Sequence, residues 1–172
     1  KFDCGAKIRT TPAISGDVVF FGAINGNFYA INKDNGTEKW KFATDGASIK
    51  FEEAGTDRSG IYCSPSVSAQ YGIVTFGARD GLLYALNSND GKLKWKIDHE
   101  GPWVLSTAIK DDKIFAGSGS DAIVQCIDIN TGVERWRFQA VGMVFSSLSI
   151  VQDAIYFNDM LGNVYAADIR NG

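Results

Sequence analysis

The stretch Asn25-Gly26-Asn27-Phe28-Tyr29-Ala30-Ile31-Asn32-Lys33-Asp34-Asn35-Gly36-Thr37-Glu38-Lys39-Trp40 decides the fold. It reads as a β-hairpin: an alternating apolar strand, a turn closing on glycine, then a strand carrying tryptophan. The pattern returns as Asp80-Gly81-Leu82-Leu83-Tyr84-Ala85-Leu86-Asn87, with Gly91 and Trp95. A third copy runs Val124-Gln125-Cys126-Ile127-Asp128, with Thr131-Gly132 and Trp136. A fourth opens with Leu161-Gly162-Asn163-Val164-Tyr165-Ala166-Ala167-Asp168 and reaches Asn171-Gly172. Where the tryptophan is present, a small residue precedes it by ten positions: Ala30 and Trp40, Ala85 and Trp95, Cys126 and Trp136. Spacing held that closely marks an internal repeat.

Ahead of each hairpin lie two more short segments. The first is small and hydroxyl-rich: Thr10 to Ile14, Ser64 to Val67, Ser106 to Ile109 and Ser147 to Ile150. The second is largely β-branched and aromatic: Val18 to Phe21, Ile73 to Phe76, Lys113 to Ala116 and Ala154 to Phe157. Each repeat thus predicts four short antiparallel strands, and no helical periodicity appears. That predicts an all-β chain, a β-propeller of four-stranded antiparallel blades. Residues 1–172 would be a single, partial propeller domain of about four blades, half of a seven- or eight-bladed ring. The small column is expected where neighbouring sheets press close, and each tryptophan is expected to lock one blade to the next. Gly36, Gly91 and Gly132 suit the left-handed position of a short hairpin loop. Lys1-Phe2 echoes Lys41-Phe42, Lys96-Ile97 and Arg137-Phe138, so Lys1 to Gly5 reads as the tail of an outer strand.

Composition excludes some partners. A net charge of −3 and a pI near 5.1 argue against nucleic acid, which asks for a basic face. No apolar run approaches the ~20 residues of a membrane span. The three cysteines, Cys4, Cys63 and Cys126, are too few and scattered for a disulfide scaffold, and Cys126 falls in the small column as a packed core residue.

The repeats resemble the pyrroloquinoline-quinone-type propeller repeat. The residues that carry the resemblance are Tyr29-Ala30-Ile31-Asn32 with Gly36 and Trp40, Tyr84-Ala85-Leu86-Asn87 with Gly91 and Trp95, and Ile127-Asp128 with Thr131-Gly132 and Trp136. The resemblance covers essentially the whole chain. It implies either a non-catalytic scaffold similar to the outer-membrane-assembly lipoproteins or part of a quinone-dependent dehydrogenase. The dehydrogenase reading would bring pyrroloquinoline quinone with calcium, an adjacent cysteine pair, Glu and Asn ligands and a catalytic Asp. No adjacent cysteine pair exists. Counting Gly36 as the sixth position of a calcium loop puts Ile31 first and Phe42 twelfth, so the acidic turns are hairpins, not metal sites. His99, the only histidine, lacks a partner at metal spacing and reads as a surface residue. No catalytic residue and no metal site is therefore assigned. The expected function is an interaction domain that binds a protein or peptide on a propeller face without a cofactor, and the resemblance places it in the periplasm or elsewhere outside the cytoplasm.

Binding residues are sought where the repeat is broken. Trp40 and Trp95 are 55 residues apart against 41 for Trp95 and Trp136, so about 14 residues are inserted within Ala47 to Ile61. That charged stretch reads as a solvated loop near the channel mouth, either a length variation or a contact loop. Trp103 is the one tryptophan outside the repeat column. It is either a plug between blades or an aromatic platform, and Arg9, Tyr62 and Arg58 occupy segments from which they would join it. The incomplete ring is expected to be completed by further blades of a parent chain or by a second copy joined head to tail.

Overall fold

The computed structural model describes residues 1–49, 57–99, 106–119 and 121–172. Among these residues fifteen strands form four antiparallel sheets in chain order, each a meander of neighbours. Blade one holds β1 (Ala13–Ser15), β2 (Val18–Gly22), β3 (Asn27–Asn32) and β4 (Glu38–Ala43). Blade two holds β5 (Ser66–Ser68), β6 (Ile73–Gly77), β7 (Leu82–Asn87) and β8 (Leu93–Asp98). Blade three holds β9 (Ala108–Lys110), β10 (Lys113–Ser118), β11 (Ile123–Asp128) and β12 (Glu134–Gln139). Blade four holds β13 (Ser149–Val151), β14 (Ala154–Asn158) and β15 (Val164–Asp168). The first strands touch in succession, β1 on β5, β5 on β9 and β9 on β13, so the blades fan out as expected of a propeller.

The ten-residue spacing is a hairpin register. Ala30 pairs with Trp40, Ala85 with Trp95 and Cys126 with Trp136, and in each blade a bulge follows at once. Residues paired across a ladder share a face, so a small residue there leaves room for the indole opposite. The bulge adds one residue to the outer strand and raises the local twist. Each indole then reaches the next blade: the Trp40 N–H donates to the Ser88 carbonyl at 3.1 Å, Trp95 to Ile129 at 3.1 Å and Trp136 to Ile169 at 3.3 Å. Under each ring lies the turn glycine of that next blade. A Cβ on Gly91 would meet Trp40 at 2.7 Å, and one on Gly132 would meet Trp95 at 2.9 Å. These glycines also have φ of +72° and +74°, so two independent demands select glycine there. The Asn or Asp ending each third strand caps the same turn: Asn32 accepts from the amides of Asp34 and Asn35, and Asp128 from those of Asn130 and Thr131.

The cores lie between the sheets. Phe20, Phe28, Ala30 and Trp40 of blade one pack on Val74, Phe76, Tyr84 and Leu86 of blade two, with the Phe28 and Phe76 rings stacked at 3.9 Å. Leu83 and Ala85 meet Ile114, Ala116 and Ile127 at the next junction. A strand buried on both sides loses the alternation of a half-exposed one, and β6 is buried throughout.

Two expectations are corrected here. Lys1 to Gly5 forms no strand, because among the described residues no neighbouring strand lies alongside to complete a ladder. Its packing matches the repeat nonetheless, since Phe2 sits edge-on to Tyr29 at 5.7 Å much as Phe42 sits edge-on to Tyr84 at 5.6 Å. The inserted stretch is not solvated along its whole length either. Ile61 is fully buried in the first core, in space left by the missing Cβ of Gly22, which would lie 2.3 Å from an Ile61 methyl.

Candidate functional site

The crossings between blades and the turns between second and third strands lie together. The Ile24 amide donates to Lys7, Arg79 to Gly60 and Met160 to Met143, each bond tying a turn to a crossing. Among the described residues, one face of the blade array therefore gathers these turns and crossings.

On this face the structure brings Arg9 and Tyr62 together, with the Arg9 guanidinium 5.4 Å from the ring centroid. A second guanidinium, that of Arg79, lies over the same ring at 5.3 Å. The Tyr62 hydroxyl donates to Asp57 Oδ2 at 3.4 Å, and the Ser59 hydroxyl donates to Asp57 Oδ1 at 2.7 Å. The Ser59 hydrogen bond, assisted by the nearby charge of Arg79, outweighs burial and holds the Asp57 carboxyl below its usual range. Thus a tyrosine that is half-buried carries two cations above it, with one carboxylate fixing its hydroxyl.

Arg58 stands apart from this cluster. Its carbonyl lies 2.4 Å from where a Gly46 Cβ would be, and among the described residues no contact joins its guanidinium to Tyr62. Trp103 falls outside the described residues. Arg79 is the residue the sequence reading missed. It occupies the turn position held by Ile24 and Met160 in blades one and four, so a charge in an otherwise apolar column was the available signal.

Farther along the same face the side chains turn apolar. Val141 (76% exposed), Met143, Met160 and Leu161 (68% exposed) line a hollow of ≈ 470 Å³ at the junction of blades three and four. Between the cationic cluster and this shelf sits His99. It is only 5% exposed, which corrects its expected place on the surface. The cause is its column: it stands where blade one has Thr44 and blade three has Ala140, and the amides of all three donate to the carbonyl of a second-to-third-strand turn at 2.9, 2.9 and 2.8 Å. The imidazole thereby turns into the blade junction.

Among the described residues, the adjacent cysteines and the metal ligands that the quinone resemblance implies do not come together. The cysteines lie in three different places without disulfides, burial pushes the Cys126 thiol up to about 11, and among the described residues no three His, Cys, Asp or Glu side chains gather as metal ligands. No described helix is long and apolar enough to cross a membrane.

Comparison with known proteins agrees with the geometry. The chain is 23% identical over 130 residues to the outer membrane protein assembly factor BamB of Shewanella oneidensis, covering 76% of this chain and 32% of that protein. It is 24% identical over 152 residues to the quinohemoprotein alcohol dehydrogenase ADH-IIG of Pseudomonas putida, covering 82% of this chain and 21% of that one. The crystal structure of BamB from Moraxella catarrhalis superposes with a TM-score of 0.79 at 17% identity, over 97% of this chain and 48% of that one. The chain thus spans a third or less of these two curated relatives and about half of the solved structure. The model of the family "Outer membrane protein assembly factor BamB" matches residues 58–172, and with its repeat, its blades and its interlocking tryptophans this chain belongs to that family of quinone-type β-propellers.

Proposed function

We propose that this chain is a non-catalytic interaction scaffold that holds a protein segment across its crossing face, acting in outer-membrane protein assembly outside the cytoplasm. The observation that carries the reading is the pairing of Arg9 and Arg79 over Tyr62, continued along the same face by the apolar shelf of Val141, Met143, Met160 and Leu161. A ring flanked by guanidiniums offers both a flat apolar contact and donors for carboxylates, the mix enriched at the centres of protein interfaces. The shelf supplies area without demanding hydrogen bonds. A segment alternating acidic and apolar side chains complements the two regions, and the family's name supports an outer-membrane protein or another assembly component as its source.

The test is fluorescence anisotropy of labelled outer-membrane β-strand peptides with the folded chain. Tyr62→Ala and the double change Arg9→Glu with Arg79→Glu are expected to weaken binding at least tenfold, while Asn35→Asp on a distant hairpin leaves it unchanged. Binding that ignores all of these substitutions would remove the proposed surface. The similarity to quinoprotein dehydrogenases supports a second reading, part of such an enzyme with its catalytic residues elsewhere. A rise in melting temperature on adding pyrroloquinoline quinone with calcium, absent with calcium alone, would favour that reading.

A further inference from the structure

The tyrosine column breaks once. Tyr84 and Tyr165 each fill the groove toward the preceding blade and donate to a turn carboxylate, Asp80 and Asp159, at 2.7 Å. In blade three the corresponding residue is Gln125, and the preceding blade faces it with His99 where other crossings have Thr44 and Ala140. Two departures from the repeat thus meet at one junction. Between them lies an open cleft of ≈ 280 Å³, with Asp98 and His99 on one wall and Asp121, Gln125, Arg137 and Gln139 on the other.

The base of the cleft is polar and unsatisfied. Gln125 is 6% exposed and donates its amide N–H to Glu134, which leaves Oε1 buried with no partner. His99 Nε2 is likewise buried with no partner. Burial, the largest influence, lowers the imidazole pKa, so the ring is neutral at pH 7 and offers a lone pair when its proton sits on Nδ1. Buried polar atoms are ordinarily satisfied, so two orphans on side chains that line one cleft point to a missing group. The cleft's charge selects its sign. Asp121 brings a carboxylate to the lining, while Arg137, the one cation among the described lining residues, is engaged by Glu134 in two hydrogen bonds of 2.8 Å. A metal ion is disfavoured because no three ligating side chains converge among the described residues.

We propose that this cleft binds a primary alkylammonium group, which donates to Gln125 Oε1, His99 Nε2 and the Asp121 carboxylate. An ammonium carries three donors and no acceptor, and so matches a lining of acceptors with net negative charge. The group is supplied by a free amine or by a lysine side chain of a protein partner.

His99 is the chain's only histidine, so its ring protons form a self-assigned reporter in a proton NMR spectrum. Titration with n-butylammonium chloride, or with Nα-acetyl-lysine methylamide, is expected to shift the His99 signals saturably. Tetramethylammonium chloride has the charge without the donors and is expected to leave them in place. Tighter binding of butylammonium assigns a free amine, and tighter binding of the lysine derivative assigns a partner's side chain. Gln125→Tyr refills the groove as in blades two and four and should abolish the response. Asp121→Asn lies on an exposed turn and should weaken it several-fold without disturbing the core. An unsaturable or absent shift means that the cleft holds solvent only, and an equal response to tetramethylammonium means that it reads charge alone. Either result overturns the proposal.

Discussion

Trp40 is 9% exposed, whereas Trp95 and Trp136 are half-buried, so the three locks are unequal. Trp40→Ala should cost about 3–5 kcal/mol and the other two about 2–3 kcal/mol, because truncation of a large side chain scales with the apolar contact it loses. Urea unfolding would check the order, and equal small losses at all three would remove the interblade lock. Gly91→Ala probes the same contact from the other side and should be destabilising, since the added methyl meets both the Trp40 ring and an unfavourable φ. His99 adds a pH signature. Burial lowers its folded pKa below 6.5 and Arg137 adds to the lowering, against the raising influence of Asp121, Asp98 and Glu134. Above pH 6.5 both folded and unfolded chains carry it neutral and its stabilisation is complete. As the pH falls from 6.5 toward the folded pKa, the unfolded chain takes up the proton first and stability is lost. Urea midpoints at pH 7.5 and 5.5 should differ in the native chain and draw together in His99→Gln.

The hairpin joining the third and fourth strands is the unit in which turn, bulge and charge act together. In blade three, Asp128 caps the turn through the Asn130 and Thr131 amides and also meets Arg135, which bonds Asp112 at 2.6 Å from the neighbouring turn. Asp128→Ala should therefore cost about 1–2 kcal/mol through the lost cap. Arg135→Ala removes only a largely exposed ion pair and should cost under about 1 kcal/mol. Equal effects would mean that the cap contributes nothing beyond the charge. The hydrogen bond from Arg135 dominates in holding the Asp128 carboxyl down at about 2. Its stabilisation is complete above its unfolded value of 3.8 and is lost as the pH falls through about 2, well below the His99 window.

At the scale of the molecule, the fourth blade sets the behaviour. Among the described residues β15 pairs only with β14, and Val151, Tyr156 and Val164 (79% exposed) stand out on that sheet. An unpaired edge with apolar side chains invites another strand. At the opposite end Phe2 already sits against Tyr29 as an outer-strand residue would. We expect the 172-residue polypeptide, expressed by itself, to pair head to tail, with a light-scattering mass near twice 18.7 kDa. Tyr156→Lys with Val164→Lys, or removal of residues 1–9, should return it to a single copy. A native chain that scatters as one copy at high micromolar concentration would refute the pairing.

The blades were legible in the residues because everything that defines a hairpin is local. The alternation, the Asx-capped turn, the left-handed glycine and the small residue ten positions before tryptophan all lie within one short stretch, and its register follows from them. Arg9 and Tyr62, two of the four side chains singled out on the crossings, lie against each other, though their contact spans two crossings. Other features depended on which blade faces which. The glycine beneath Trp40 is 51 residues farther along, at Gly91, and the guanidinium that completes the Tyr62 cluster belongs to a turn 17 residues beyond it. Ile61 looks like part of a charged loop until the bare backbone of Gly22 makes room for it. His99 looks like a lone surface imidazole until the crossing amide is tied to the Gly81 carbonyl and the ring turns inward. Local chemistry chose the strands, and contacts between blades decided which of their side chains are buried, paired or left without a partner.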